Sequence, residues 1–115
     1  MLQLLNLFID DIEEKLENDE NIILQDAANL FRGPISVGGR LTLTNSRLIF
    51  QPHKINFEKN DEVIEIEKIK GVKKVRTLDF FDTSLRVTTE NDDEYKFVLA
   101  ANTRDKWFEE INSML

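Results

Sequence analysis

At 115 residues, with 41% apolar and 32% charged residues, four glycines and two prolines, the chain has the make-up of one folded domain able to bury its own core. With no cysteine, disulfide staples, thiolate nucleophiles and thiolate metal sites are all excluded, and a reducing compartment, the cytoplasm, is the expected location. The formal charge of −7 speaks against a nucleic-acid partner, but it is local: residues 1 to 26 hold eight acids (Asp10, Asp11, Glu13, Glu14, Glu17, Asp19, Glu20 and Asp26) against one base, Lys15, while the remainder carries 14 acids and 14 bases.

In chain order, Leu2, Leu5, Ile9, Ile12 and Leu16 recur at intervals of three and four, the spacing of one helical face, so residues 1–20 are expected to form an amphipathic acidic helix ending near Asn18 and Asn21. The stretch lacks a basic leader and is too short to span a bilayer. Its apolar stripe has two outcomes: it docks on its own domain, or it zips to a second copy or a partner, since a stripe left in water is costly. Acids where membrane-surface helices carry lysines place lipid last.

Residues 22 to 32 read as a first strand bending near Ala27 and Ala28, and Gly33, Pro34, Gly38 and Gly39 as a loop. Leu41 and Leu43 alternate with Thr42 and Thr44, and Leu48 and Phe50 with Ile49 and Gln51, across the turn-forming pair Asn45 and Ser46: a hairpin. "EVIEIEKI" sets Ile64 and Ile66 against Glu65 and Glu67, and Gly71 marks a bulge or bend before "VKKVRTL". Segments 84 to 90 and 94 to 100 bracket Asn91, Asp92 and Asp93 as another hairpin. Asn102 or Thr103 caps a final helix whose apolar face is Trp107, Phe108, Ile111, Met114 and Leu115. A meander with one apolar face must cover it, and this helix is the available cover, with Trp107 as its largest plug.

The run "ANLFRGPISVGGRLTLTNSRLIFQPHK", followed by Ile69-Lys70-x-Val72, "LRVTT", an acidic turn, "YKFVLA" and a closing helix with Arg104 and Trp107, resembles the signature of GRAM domains, a branch of the pleckstrin-homology-like superfold. The resemblance covers roughly residues 22 to 115 and leaves the N-terminal helix outside the family pattern. It implies a mainly β, seven-stranded antiparallel barrel or sandwich over residues 21–115, capped by a C-terminal helix and used to bind phosphoinositides, membranes or proteins rather than to catalyse.

Four groups of residues are candidates for binding. Arg40 and Arg47 flank the hairpin and are expected on a solvent face beside Thr42 and Thr44, paired with nearby acids or available to a ligand. Lys68, Lys70, Lys73, Lys74 and Arg76 form a basic run with no acid between Glu67 and Asp79; it is either a phosphate-binding patch or a strand face neutralised by the acids of the preceding segment. Adjacent Phe80 and Phe81 sit in a loop, where one is an exposed anchor or both tuck against the barrel mouth. The stripe Leu2, Leu5, Ile9, Ile12 and Leu16 is the candidate for self-association.

No enzyme or cofactor is expected. His53 is the only histidine, and no nucleophile with a base converges on it. The run from Gly33 to Arg40 imitates a phosphate loop but has Gly39 where the lysine belongs and is followed by a strand. The function expected is a non-enzymatic binding module for a protein partner or a homo-oligomer. The alternative is weak contact with phosphoinositide or acidic lipid through residues 68–76, at the membrane periphery.

Overall fold

The computed structural model describes residues 11–53, 60–78 and 80–115. Seven strands, β1 (Ile22–Arg32), β2 (Ile35–Thr44), β3 (Arg47–Pro52), β4 (Glu62–Glu65), β5 (Ile69–Thr77), β6 (Phe81–Thr89) and β7 (Glu94–Val98), are followed by one helix, α1 (Arg104–Ser113). All pairings are antiparallel in the order β4-β3-β2-β1-β7-β6-β5, so β4 and β5 are the edges of a curled sheet. Asn45 and Ser46 join β2 to β3 with Leu43 opposite Leu48, as the alternation of the two segments requires.

The side chains that alternate inward meet in a single core. Leu41, Leu43, Leu48, Phe50 and Ile64 come from the first half of the sheet, Val72, Leu85, Val87 and Phe97 from the second, and Trp107 and Ile111 from α1. Phe50 and Phe97 meet at 6.1 Å between ring centroids, tying the two halves together. Helix α1 lies against β5 and β6, and Arg104 at its start donates to the backbone oxygens of Val75 at 3.1 Å and Ser84 at 3.0 Å. Trp107 is fully buried and its indole N–H donates to Asp26 Oδ2 on β1 at 2.8 Å. Thr103 occupies the cap position, but its hydroxyl donates backward to Ala100 O instead of accepting from the first turn.

Several expectations are corrected. Residues 11 to 20 do not continue a helix to Leu16: Ile12–Lys15 is one 3-10 turn, started by the Asp11 carboxylate accepting from Glu13 N–H, and Leu16 is already extended. Acid side chains that bond the nearby backbone compete with the helix, and a run this short has little cooperativity to resist them. Leu2, Leu5 and Ile9 lie outside the described residues. Ile12 is buried within the chain. The irregularity in β1 falls between Ile22 and Leu24 rather than at Ala27 and Ala28. The bulge at Gly71 is present, between Ile69 and Gly71.

Gly33, at φ 62, and Pro34 make the β1–β2 turn, while Gly38 and Gly39 are inside β2. Gly39 is there for space: a Cβ would stand 2.2 Å from Gln51 O and 2.8 Å from both Phe50 Cζ and Pro52 Cα. Gly39→Ala is therefore expected to push β3 off β2 and destabilise the domain by ~3 kcal/mol, seen as an early denaturant midpoint with the slope retained.

Candidate functional site

Arg40 and Arg47 do not stand in solvent. Their strand neighbours Thr42 and Thr44 are buried on the outer face of β2, because residues 11 to 20 run across it. Glu20 is the hub of that contact. Its carboxylate accepts from Thr44 Oγ1 (2.6 Å), Ser46 Oγ (3.2 Å), Glu17 N–H (2.8 Å) and two nitrogens of Arg47 (2.6 and 2.8 Å). The Arg47 guanidinium, helped by Glu17 N–H and the Thr44 hydroxyl and opposed by burial, holds the carboxyl down at about 2. Arg47 also donates to Lys15 O, and Asn45 exchanges bonds with Asp19 and Asn21, so the N-terminal segment is laced to the hairpin turn. Arg40 donates twice to Gln51 Oε1, at 3.0 and 3.3 Å; burial lowers its pKa and Asp11 and Glu13 work against that loss. Arg47 is thus engaged in holding the chain's own N-terminal segment, and Arg40, anchored on Gln51, lies in the field of that segment's Asp11 and Glu13.

The basic run is split by the bulge at Gly71. Lys70 pairs with Asp92, Lys74 with Asp105 at 3.3 Å and Arg76 with Asp82 at 3.6 Å. Lys74 also sits over the Phe108 ring, 5.1 Å from its centroid. Lys68 is on the short 3-10 turn Ile66–Lys68, away from the strand face. Lys73 points outward, directly opposite Arg86. The structure therefore spreads the five cations over several surfaces and pairs three of them with acids, Lys74 sharing Asp105 with Arg104.

The β5–β6 turn does the reverse and gathers apolar surface. Phe80 is 83% exposed, Leu78 69% and Phe81 59%. The turn is held from beneath: Thr77 Oγ1 bonds Thr83 Oγ1 at 2.6 Å and also Ser84 Oγ, and Phe80 N–H donates to Thr77 O at 3.1 Å. Leu78 adopts φ 52, a left-handed conformation that is unusual for a side chain of this size and aims it out of the strand plane. Sequence reading singled out Phe80 and Phe81 and missed Leu78, whose role appears only once the strand is known to end at Thr77.

Elsewhere, a concavity of about 280 Å³ is lined by Glu17, Ser46, Arg47, Glu65 and Glu67, beside the Glu20 contact. His53 sits with its ring against Gly38, and its N–H donates to Gly38 O. Among the described residues there is no cluster of three or more side chains arranged to hold a metal ion, and no helix is long and apolar enough to cross a membrane.

Residues 7–115 match the family model of the GRAM domain, a match that begins further toward the N-terminus than the motif residues alone. No curated protein matches the sequence. Among solved structures, the C-terminal domain of an unknown protein from Leishmania infantum superposes with a TM-score of 0.70 at 21% identity, covering 83% of this chain and 84% of that one. The N-terminal PH domain of human ARAP2 gives 0.63 at 12%, covering 80% and 77%. The DH/PH fragment of PDZRHOGEF, in complex with human RhoA, gives 0.64 at 9%, covering 83% of this chain but 28% of that one. At these identities the structural likeness carries the fold alone, a pleckstrin-homology-like sheet closed by a helix.

Proposed function

Since the chain belongs to the GRAM domain family, a fold used for binding, we propose that it is a non-enzymatic module that engages a protein partner through the β5–β6 turn. The observation that carries this reading is the projection of Leu78, Phe80 and Phe81 into solvent from a turn that three hydroxyls hold in place. Burying one such side chain contributes roughly 1.5–3 kcal/mol, so a small cluster on a fixed support suffices as the centre of an interface. The same turn sits beside Asp82, and three cations of the basic run are already paired with acids, which favours a protein surface over an anionic membrane. The DH/PH neighbour that was solved with RhoA gives a precedent for a protein partner near this fold, without naming one here.

Phe80→Ser/Phe81→Ser is the test. Both side chains are exposed, so the double variant is expected to keep its melting temperature. In affinity capture quantified against wild type, at least one protein should be retained at least tenfold less by the variant. Light scattering of the purified chain reports whether that protein is a second copy. Equal capture of every bound protein by wild type and variant would remove the turn from the contact and the reading with it.

A further inference from the structure

Lys73, Arg86 and Lys96 face one another across three strands: Lys73 is in register with Arg86 on β5 and β6, and Arg86 with Lys96 on β6 and β7. The residues one step away, Val72 with Val87 and Leu85 with Phe97, are inward members of the core, so the three cations share the outer face. Lys73 is exposed, and Arg86 and Lys96 are half-buried. No carboxylate of the described residues is within ion-pair distance of any of them. Lys96 is steadied over the Phe31 ring on β1, 5.3 Å from its centroid.

Like charges directly opposite in a sheet are destabilising, and this chain has 22 acids to 15 bases from which to choose. It does choose otherwise on the other half of the sheet, where Arg47 stands opposite Glu65. Two successive like-charge oppositions are a conflict that an anionic ligand would relieve. We propose that this row is a docking strip for the acidic face of a partner helix laid across β5, β6 and β7, a proposal that rests on the protein-contact reading and names the partner's charge.

The spacing fits. Neighbouring strands are about 4.8 Å apart, so the row spans about 10 Å. Acids at i, i+4 and i+7 of a helix span about 10.5 Å along its axis. In the next outward row, nearer the β5–β6 turn, the half-buried Val75 and Val98 flank the fully buried Ser84, so two apolar side chains border the strip on that side. On the other side the next row carries Glu94, opposite Thr88, and the turn beyond it carries Glu90, Asp92 and Asp93. A flat anionic membrane would meet those acids within a screening length of about 8–10 Å, whereas a helix about 10–12 Å wide can sit over the cations and the valine side of the strip, away from the acidic turn.

The decisive variant is Arg86→Glu, which turns two like-charge oppositions into two opposite-charge ones. It should melt at or above the wild-type temperature, so any loss of binding is not loss of fold. The probe is an alanine-rich helical peptide with glutamates at i, i+4 and i+7, compared with its glutamine counterpart by fluorescence anisotropy at low salt. Wild type should prefer the glutamate peptide by roughly tenfold, the preference should shrink as salt is raised, and Arg86→Glu should abolish it. Arg86→Gln, which only deletes the central charge, should give an intermediate loss, and Phe80→Ser/Phe81→Ser should keep the preference, which separates the strip from the turn. No preference in wild type, or an undiminished one in Arg86→Glu, overturns the proposal. So does binding to phosphatidylserine vesicles that Arg86→Glu abolishes in the absence of any peptide preference, which would make the strip a lipid site.

Discussion

Replacing Trp107 with alanine should destabilise the domain by ~4 kcal/mol, a fall in melting temperature of roughly 15 °C. The side chain is the largest that is fully buried, and it belongs to the element that closes the sheet between its edges. Its loss leaves a cavity in the core that strands paired on both sides are poorly able to collapse into. It also leaves Asp26 without its indole donor. Trp107→Phe keeps an aromatic ring in place but loses the N–H and part of the ring volume, so it should cost less than alanine, about 2 kcal/mol. The remaining anchor of α1, Arg104 on the oxygens of Val75 and Ser84, holds the start of the helix to β5 and β6 but not to β1. The alanine variant should therefore lose amide-exchange protection first along α1. A melting temperature within a few degrees of wild type would mean that the helix is not what closes the sheet.

The strands were legible because burial on one side imposes a period of two, and Leu41, Leu43, Leu48 and Phe50 obey it. Trp107 was legible as a plug because a meander needs a cover and the chain offers one amphipathic helix there. What misled was the assumption that the other face of β2 is wet. Thr42 and Thr44 are polar and alternate correctly, yet they are buried: Gln25 on β1 donates to the Thr42 hydroxyl, and the Thr44 hydroxyl donates to Glu20 from the N-terminal segment. A carboxylate 24 residues upstream leaves no periodic trace that would announce this partnership. Over residues 11 to 20 the expected helix gives way for a related reason: the spacing of Ile12 and Leu16 suits a helix, but a single 3-10 turn that buries Ile12, followed by an extended path from Leu16, lets Glu20 reach Arg47. At the candidate surface, Phe80 and Phe81 stood out as adjacent aromatics between acids. Arg86 and Lys96 did not, since each is an ordinary cation in its own strand and becomes part of a row only through register. The basic run, open in the sequence between a phosphate patch and a neutralised strand face, is divided by the bulge at Gly71, and three of its cations lie beside acids that the linear sequence does not place next to them.

The largest pH effect should come from Glu20. Its pKa is lowered from 4.5 to about 2 in the fold, so the native state favours the carboxylate, and the stability this contributes is complete above about pH 4.5 and lost as pH falls toward 2. The shift corresponds to ~3 kcal/mol, released when the proton displaces Arg47 and the hydroxyls of Thr44 and Ser46 from an acceptor they share. Glu20→Gln keeps the shape and removes the charge. It should cost ~3 kcal/mol at neutral pH, since Arg47 is left with a neutral partner on a face where its side chain is largely covered. Its deficit against wild type should then narrow as the solution is acidified, and the two stability curves should meet near pH 2. Asp105, held low first by Arg104 and then by Lys74, titrates in both proteins and cancels in the comparison. Amide exchange locates the loss. If the carboxylate latches the N-terminal segment, the Asn45 N–H, which donates to Asn21 O at 3.2 Å, should lose protection in acid and in Glu20→Gln before the core strands do. Stability curves that stay parallel down to pH 2 would mean that the charge on Glu20 is not what binds residues 11 to 20 to the hairpin.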